Sequence, residues 1–173
     1  MSGTIAVIGT LAGTALGAVG GYLTQRSGYR REANERRASI QRDTYVAWLT
    51  HAHGVFARIR AASYEHRTGA TTAAELLERL RTIPTEEAQV ALEHVRLLAS
   101  QEVAGAAARI WAHLRREPVA LGAERTGDAW AAWSDRYWQL RREFIDVART
   151  EFGLATFDWT VAGVTAERTK PDA

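Results

Sequence analysis

The chain has 173 residues, 46% of them hydrophobic and 24% charged, with a formal net charge of +2 and no cysteine. That length holds one membrane segment and one domain. So small a net charge gives no argument for nucleic acid, and the lack of cysteine excludes a disulfide framework and thiol catalysis.

From Ser2 to Gln25 no side chain is charged, and Arg26 ends the run. As a helix this stretch is roughly 36 Å long, enough to cross a hydrocarbon core of about 30 Å. Four glycines, Gly9, Gly13, Gly17 and Gly21, recur every fourth residue. At about 100° per residue they fall with Thr10 and Thr14 on one arc of roughly 140° made only of Gly, Ala and Thr. Ile5, Val7, Ile8, Leu11, Leu16, Val19 and Leu23 point the other way. Lipid supplies no hydrophobic drive between helices, so a small-residue face is how a membrane helix packs closely on another. The pattern predicts a transmembrane helix with a glycine zipper; the chain offers no second hydrophobic span, so the helix is expected to pack on another copy of itself or on a different membrane protein.

Insertion gains for the seven aliphatic residues total only a few kcal/mol, at about 0.3–0.6 kcal/mol each. Weak hydrophobicity leaves two other readings open. In one, the helices assemble into a pore whose wet lumen is lined by Thr10 and Thr14. In the other, the glycine-rich helix is buried inside a soluble assembly.

After the run come Arg26, Arg30, Arg31, Arg36 and Arg37, with Arg42 further on, against Glu32 and Glu35. The positive-inside rule places this side in the cytoplasm, the N-terminus outside, and the protein in the cell membrane as a single-pass chain. These arginines also lie where anionic headgroups would be. A cleaved signal peptide is the competing interpretation, with Ala18-Val19-Gly20 as a small-residue site, but the positively charged leading region is missing.

Residues 29–40 are polar all round and read as a stalk. Apolar periodicity then runs through Ile40, Tyr45, Trp48, Leu49, Ala52, Val55, Phe56, Ile59 and Ala62, ending near Gly69. Thr72 and Glu75 have capping-box spacing ahead of a short helix that Pro84 stops. Thr85 is the expected N-cap of a third helix, with Glu86 and Glu87 in its first turn and one stripe from Leu92 through Val95, Ala99, Val103, Ala106 and Ile110 to Leu114. Pro118 and Gly122 mark a loop. Asp128 is the expected cap of the last helix, where Trp130, Trp133, Tyr137, Leu140, Phe144 and Val147 fall at three- and four-residue steps, and Gly153 its C-cap.

No catalytic constellation stands out. His51 and His53 sit about 200° apart on a helix, so they cannot share a metal. His66, His94 and His113 are isolated and read as surface or helix-end residues. There is no phosphate loop, no nucleophile elbow and no metal motif. The aromatic set on the last helix fits a core stripe. It offers, as a further reading, a partner-docking face of Trp130, Trp133, Tyr137, Trp138 and Arg141, since Trp and Arg concentrate at binding hot spots.

The run ending Gly20-Gly21-Tyr22-Leu23-Thr24-Gln25-Arg26, the Arg/Glu/Ala stalk, and Arg141-Arg142-Glu143-Phe144-Ile145 together resemble a loose group of small actinobacterial single-span membrane proteins. The resemblance implies a topology and brings no activity or site with it.

The expectation is an all-α chain. It comprises a transmembrane helix (1–25), an Arg-rich juxtamembrane stalk (26–40), an antiparallel bundle of three long helices and one short one (41–153), and a tail (154–173). It is expected to be no enzyme and to hold no cofactor or metal. Its expected partners are membrane lipid, further copies of itself, and a protein on the bundle; nucleic acid is not expected. Its role is that of a scaffold, adaptor or regulator.

Overall fold

The computed structural model describes residues 3–121 and 127–159, with side chains for 32–116, 118 and 127–159. Every regular element among them is an α-helix: α1 (Gly3–Arg67), α2 (Ala73–Thr82), α3 (Glu86–Leu98), α4 (Gln101–Leu121) and α5 (Gly127–Glu151). The chain divides into two compact units, Met1–Arg42 and Asp43–Ala173.

In the first unit, Glu32–Arg37 are exposed, Arg36 and Arg37 among them. The glycine face of Gly9, Gly13, Gly17, Gly21, Thr10 and Thr14, and Arg26, Arg30 and Arg31, lie outside the residues whose side chains are described. Within those that are, no helix is long and apolar enough to cross a membrane.

The second unit is a helical bundle. Most of the predicted stripe of α1 is its spine: Tyr45, Trp48, Ala52, Val55, Phe56, Ile59 and Ala62 are buried and Leu49 is half-buried, whereas Ile40, in the first unit, is exposed. Opposite them lie Leu76 and Leu80 of α2, Leu92 and Val95 of α3, Val103, Ala106 and Ile110 of α4, and Trp133, Tyr137 and Phe144 of α5. Each set repeats at three- or four-residue steps, so each helix buries one face against the same core.

Local signals end the helices where backbone chemistry demands it. Gly69 has φ +80 and Gly153 φ +70. At each, the two N–H groups beyond the helix turn back onto its last carbonyls: Ala70 to Glu65 and Gly69 to His66, Leu154 to Arg149 and Gly153 to Thr150. That is the Schellman pattern, and its left-handed residue favours glycine. At the start of α2, Thr72 Oγ1 accepts the Glu75 N–H at 3.3 Å while the Glu75 carboxylate accepts the Thr72 N–H at 2.7 Å. That backbone N–H, and then the Thr72 hydroxyl donating to the same carboxylate at 3.0 Å, hold the Glu75 carboxyl below its usual range.

Four expectations are corrected. The long third helix is two helices, α3 and α4, broken at Ala99 and Ser100. Ala99 turns extended (φ −89, ψ 163), and Ser100 Oγ accepts the Val103 N–H at 3.4 Å as the cap of α4. The apolar spacing runs through the break, so periodicity alone does not show it. Pro118 does not open a loop: it lies buried within the last turn of α4. Gly122 lies outside the described residues. Asp128 is not a cap, because α5 begins at Gly127; it sits in the first turn, where a carboxylate still favours the helix dipole. Thr85 does occupy the N-cap position, yet its side chain makes no cap bond. The Glu86 carboxylate instead accepts the Thr85 N–H at 3.0 Å.

Beyond Gly153 the tail folds back on α5 as far as Trp159. Asp146 accepts the Phe157 N–H and the Trp159 indole N–H, each at 3.2 Å. Arg149 and Arg142 lie over the rings of Phe157 and Trp159.

Candidate functional site

Three features of the bundle concentrate polar or aromatic chemistry. The first is a ladder of rings crossing three helices. Phe56 of α1 stacks on Tyr137 of α5 with centroids 4.0 Å apart and planes 8° apart, and on Trp133 at 5.3 Å and 20°. His113 of α4 continues the stack on Trp133 at 5.3 Å and 16°. Near its other end, the His53 ring lies 6.2 Å from that of Tyr137 and 5.6 Å from that of Trp138. Such pairs contribute about 0.5–1.5 kcal/mol each beyond their buried area, so the ladder is first a packing device.

The residues of the expected partner face differ in burial. Trp130, Trp133 and Tyr137 are buried in the core, and only Trp138 and Arg141 of that set reach the surface, both half-buried. The helical spacing that made the set look like a stripe placed it inward.

The histidines divide as well. His51 pairs with Glu87 of α3 at 3.2 Å, whereas His53 faces α5, as their angular separation on the helix requires. His94 is exposed. His66 and His113 are not surface residues: both are buried, with His66 Nδ1 at 2.9 Å from the Thr71 carbonyl and His113 Nε2 at 2.9 Å from the Trp133 carbonyl. Their signal was present in the spacing, since His113 follows Ile110 and Ala106 on the buried stripe of α4. Among the described residues no group of three or more His, Asp or Glu is placed to hold a metal ion.

The second feature is a basic seam where α1 meets α5. A groove of about 540 Å³ runs along α1, lined by His53, Phe56, Ala57, Arg60, Tyr64 and Arg67 among others. A smaller one of about 180 Å³ shares Arg60 and Arg67 and is closed by Trp130 and Ser134 of α5. Among the described residues no carboxylate lines either one, and neither Arg60 nor Arg67 has an acidic partner. Arg141 lies over the Trp138 ring at 5.7 Å, and its Nε is buried without a hydrogen-bond partner.

The titratable groups register this positive field. His53 is held below its ordinary value by burial, then by Arg141 and Arg60. The Tyr137 hydroxyl, 3.4 Å from His53 Nδ1, is pushed up to about 12 by burial, with Arg141 pulling the other way. Chemically the seam offers guanidinium donors, an imidazole kept neutral, and exposed ring faces. These groups can receive an acidic or anionic group.

A third cluster is structural. The Glu151 carboxylate, at the end of α5, accepts the Tyr45 hydroxyl at 2.8 Å and the Ser100 N–H at 3.1 Å. It thereby joins α1, the α3–α4 break and the end of α5. Burial, then this hydrogen bond, hold the Tyr45 hydroxyl far above the usual tyrosine range.

No protein-family model, curated protein or solved structure matches the chain.

Proposed function

We propose that the protein is a single-pass membrane protein. It associates with its own copies through the face of Gly9, Gly13, Gly17 and Gly21, and carries a cytoplasmic helical bundle that acts as a non-catalytic scaffold, adaptor or regulator. The observation that carries this reading is the uncharged run from Ser2 to Gln25, with its small residues segregated on one face and five arginines, Arg26, Arg30, Arg31, Arg36 and Arg37, directly after it. The exposure of Arg36 and Arg37 supports a solvated, lipid-facing stalk. A bundle filled by stacked rings, with an open basic seam on its surface, suits docking better than chemistry.

The test is expression of the full chain with a tag at each end, followed by membrane fractionation, carbonate wash and protease protection. The reading expects the chain in the washed membrane, with its C-terminal tag protected inside the cell. Replacing Gly13→Leu and Gly17→Leu together should abolish crosslinked oligomers and leave insertion intact, because bulk on that face blocks backbone approach. Undiminished crosslinking would sink the glycine-face assignment. A chain that washes off would instead place the glycine helix inside a protein assembly. The Thr10/Thr14 pair beside the glycines favours one second reading, a pore; depolarisation of cells on overexpression would separate it from the scaffold.

A further inference from the structure

Two complementary helix faces of the bundle match each other in spacing and charge. On α1, His53, Ala57, Arg60, Tyr64 and Arg67 follow one another at four-, three-, four- and three-residue steps, within an arc of roughly 80°. Ala57 and Ala61, both exposed, give this groove a low floor, and Arg60 and Arg67 stand seven residues apart along it. Tyr64 lies between them, 62% exposed.

On α3, Glu86, Val90, Glu93 and Leu97 occupy an arc of roughly 60°. The two glutamates are also seven residues apart, with Val90 between them. Val90 is 56% exposed and Leu97 79%, the largest exposure of any big hydrophobic residue on the described surface. The intrahelical Glu93–Arg96 pair is solvent-exposed, so exchanging that partner costs little. One Glu86 oxygen accepts the Thr85 N–H, and the carboxylate stays on the surface.

The two faces cannot meet within one molecule. α3 packs against α1 through the His51–Glu87 pair and the bond from Arg58 to the Pro84 carbonyl. His51 and Arg58 lie on the side of α1 roughly opposite the groove.

We propose that the α3 face of one copy docks in the α1 groove of the next, with Glu86 and Glu93 against Arg60 and Arg67 and Val90 against Tyr64. The equal seven-residue spacing sets both ion pairs in register at once, about 10.5 Å apart along each helix. Because the two faces differ, the contact is heterologous and propagates from copy to copy rather than closing a two-fold dimer. It is independent of the glycine face, which involves other residues. An interface this small is weak in dilute solution and gains from any tethering that raises local concentration.

The absence of native cysteine makes the test direct. Two tagged forms of the full chain, one carrying Tyr64→Cys and the other Val90→Cys, are co-expressed and oxidised in the membrane fraction or, if the chain is soluble, in lysate. The pair should give a disulfide-linked heterodimer, and neither form alone should. Arg60→Glu with Arg67→Glu should cut that yield about tenfold, as should Glu86→Arg with Glu93→Arg, and combining the reversed groove with the reversed α3 face should restore it. Leu97→Asp, at a largely exposed position, should reduce the yield without altering the helical circular dichroism. The Gly13→Leu, Gly17→Leu form should still give the crosslink whether or not the glycine-face assignment holds, since the two contacts use different residues. The proposal is overturned by any of three results: no crosslink, a Tyr64→Cys form that links as well to itself, or a yield indifferent to charge reversal. Capture of a different acidic protein or of anionic lipid vesicles by the groove, without the crosslink, also overturns it.

Discussion

His53 shows how one side chain reads its surroundings. Its folded value lies below the ordinary one because burial, Arg141 and Arg60 all disfavour the imidazolium. At pH 7.5 the ring is neutral in both folded and unfolded chains, so it contributes no pH dependence there. As pH falls through about 6.5, the unfolded chain takes up the proton and the folded one resists it, so stability is lost on the acid side. The melting temperature of the bundle should therefore fall between pH 7.5 and pH 5.5. His53→Gln, which keeps a hydrogen-bonding group beside Tyr137, should make that fall shallower. An identical pH profile in the variant would mean that the basic seam does not act on this ring. The other seam residues were only partly legible in the sequence. Trp138 and Arg141 belonged to the expected partner face of the last helix, but Arg60 and Arg67 come from a different helix, and only packing brings the two sets to one seam.

At the scale of elements, the ends of the helices carry as much information as their faces. The capping box at Thr72 and the terminal glycines Gly69 and Gly153 act through local backbone chemistry, so sequence alone locates them. The α3–α4 break depends on a distant residue. Ser100 sits in front of Gln101 and Glu102, an N-cap residue before an acidic first turn, but the apolar stripe continues across it and hides the signal. Glu151 stabilises the joint from 51 positions away by accepting the Ser100 N–H, and it holds Tyr45 with the same carboxylate. Glu151→Ala should cost about 1–3 kcal/mol, because it leaves these donors without their partner. Amide exchange should speed up at the start of α4 and around Tyr45, and much less in α2, whose capping box lies elsewhere. Uniform acceleration across all the helices would argue that Glu151 does not act at the joint.

For the whole molecule, the all-helical bundle was legible because every helix alternates a buried and a solvated face. The spacing also put His66 and His113 on buried stripes, but what each ring bonds, the Thr71 or the Trp133 carbonyl, is set by the fold and was not legible. Phe56 is where the bundle is most exposed to failure: it touches Tyr137, Trp133, Trp138 and His53 and so couples α1 to much of α5. Phe56→Ala should cost about 3–5 kcal/mol, a large share of the roughly 5–15 kcal/mol that holds a domain together. For a bundle of this size that corresponds to a drop in melting temperature of roughly 10–20 °C. On the proposed reading, membrane retention belongs to residues 1–25 and the fold to the second unit. The variant should accordingly lose thermal stability and the Tyr64–Val90 crosslink while remaining in the carbonate-washed membrane. If Phe56→Ala releases the chain from the membrane, then the bundle and not the glycine-rich helix is what holds it there, because only the bundle core has been changed.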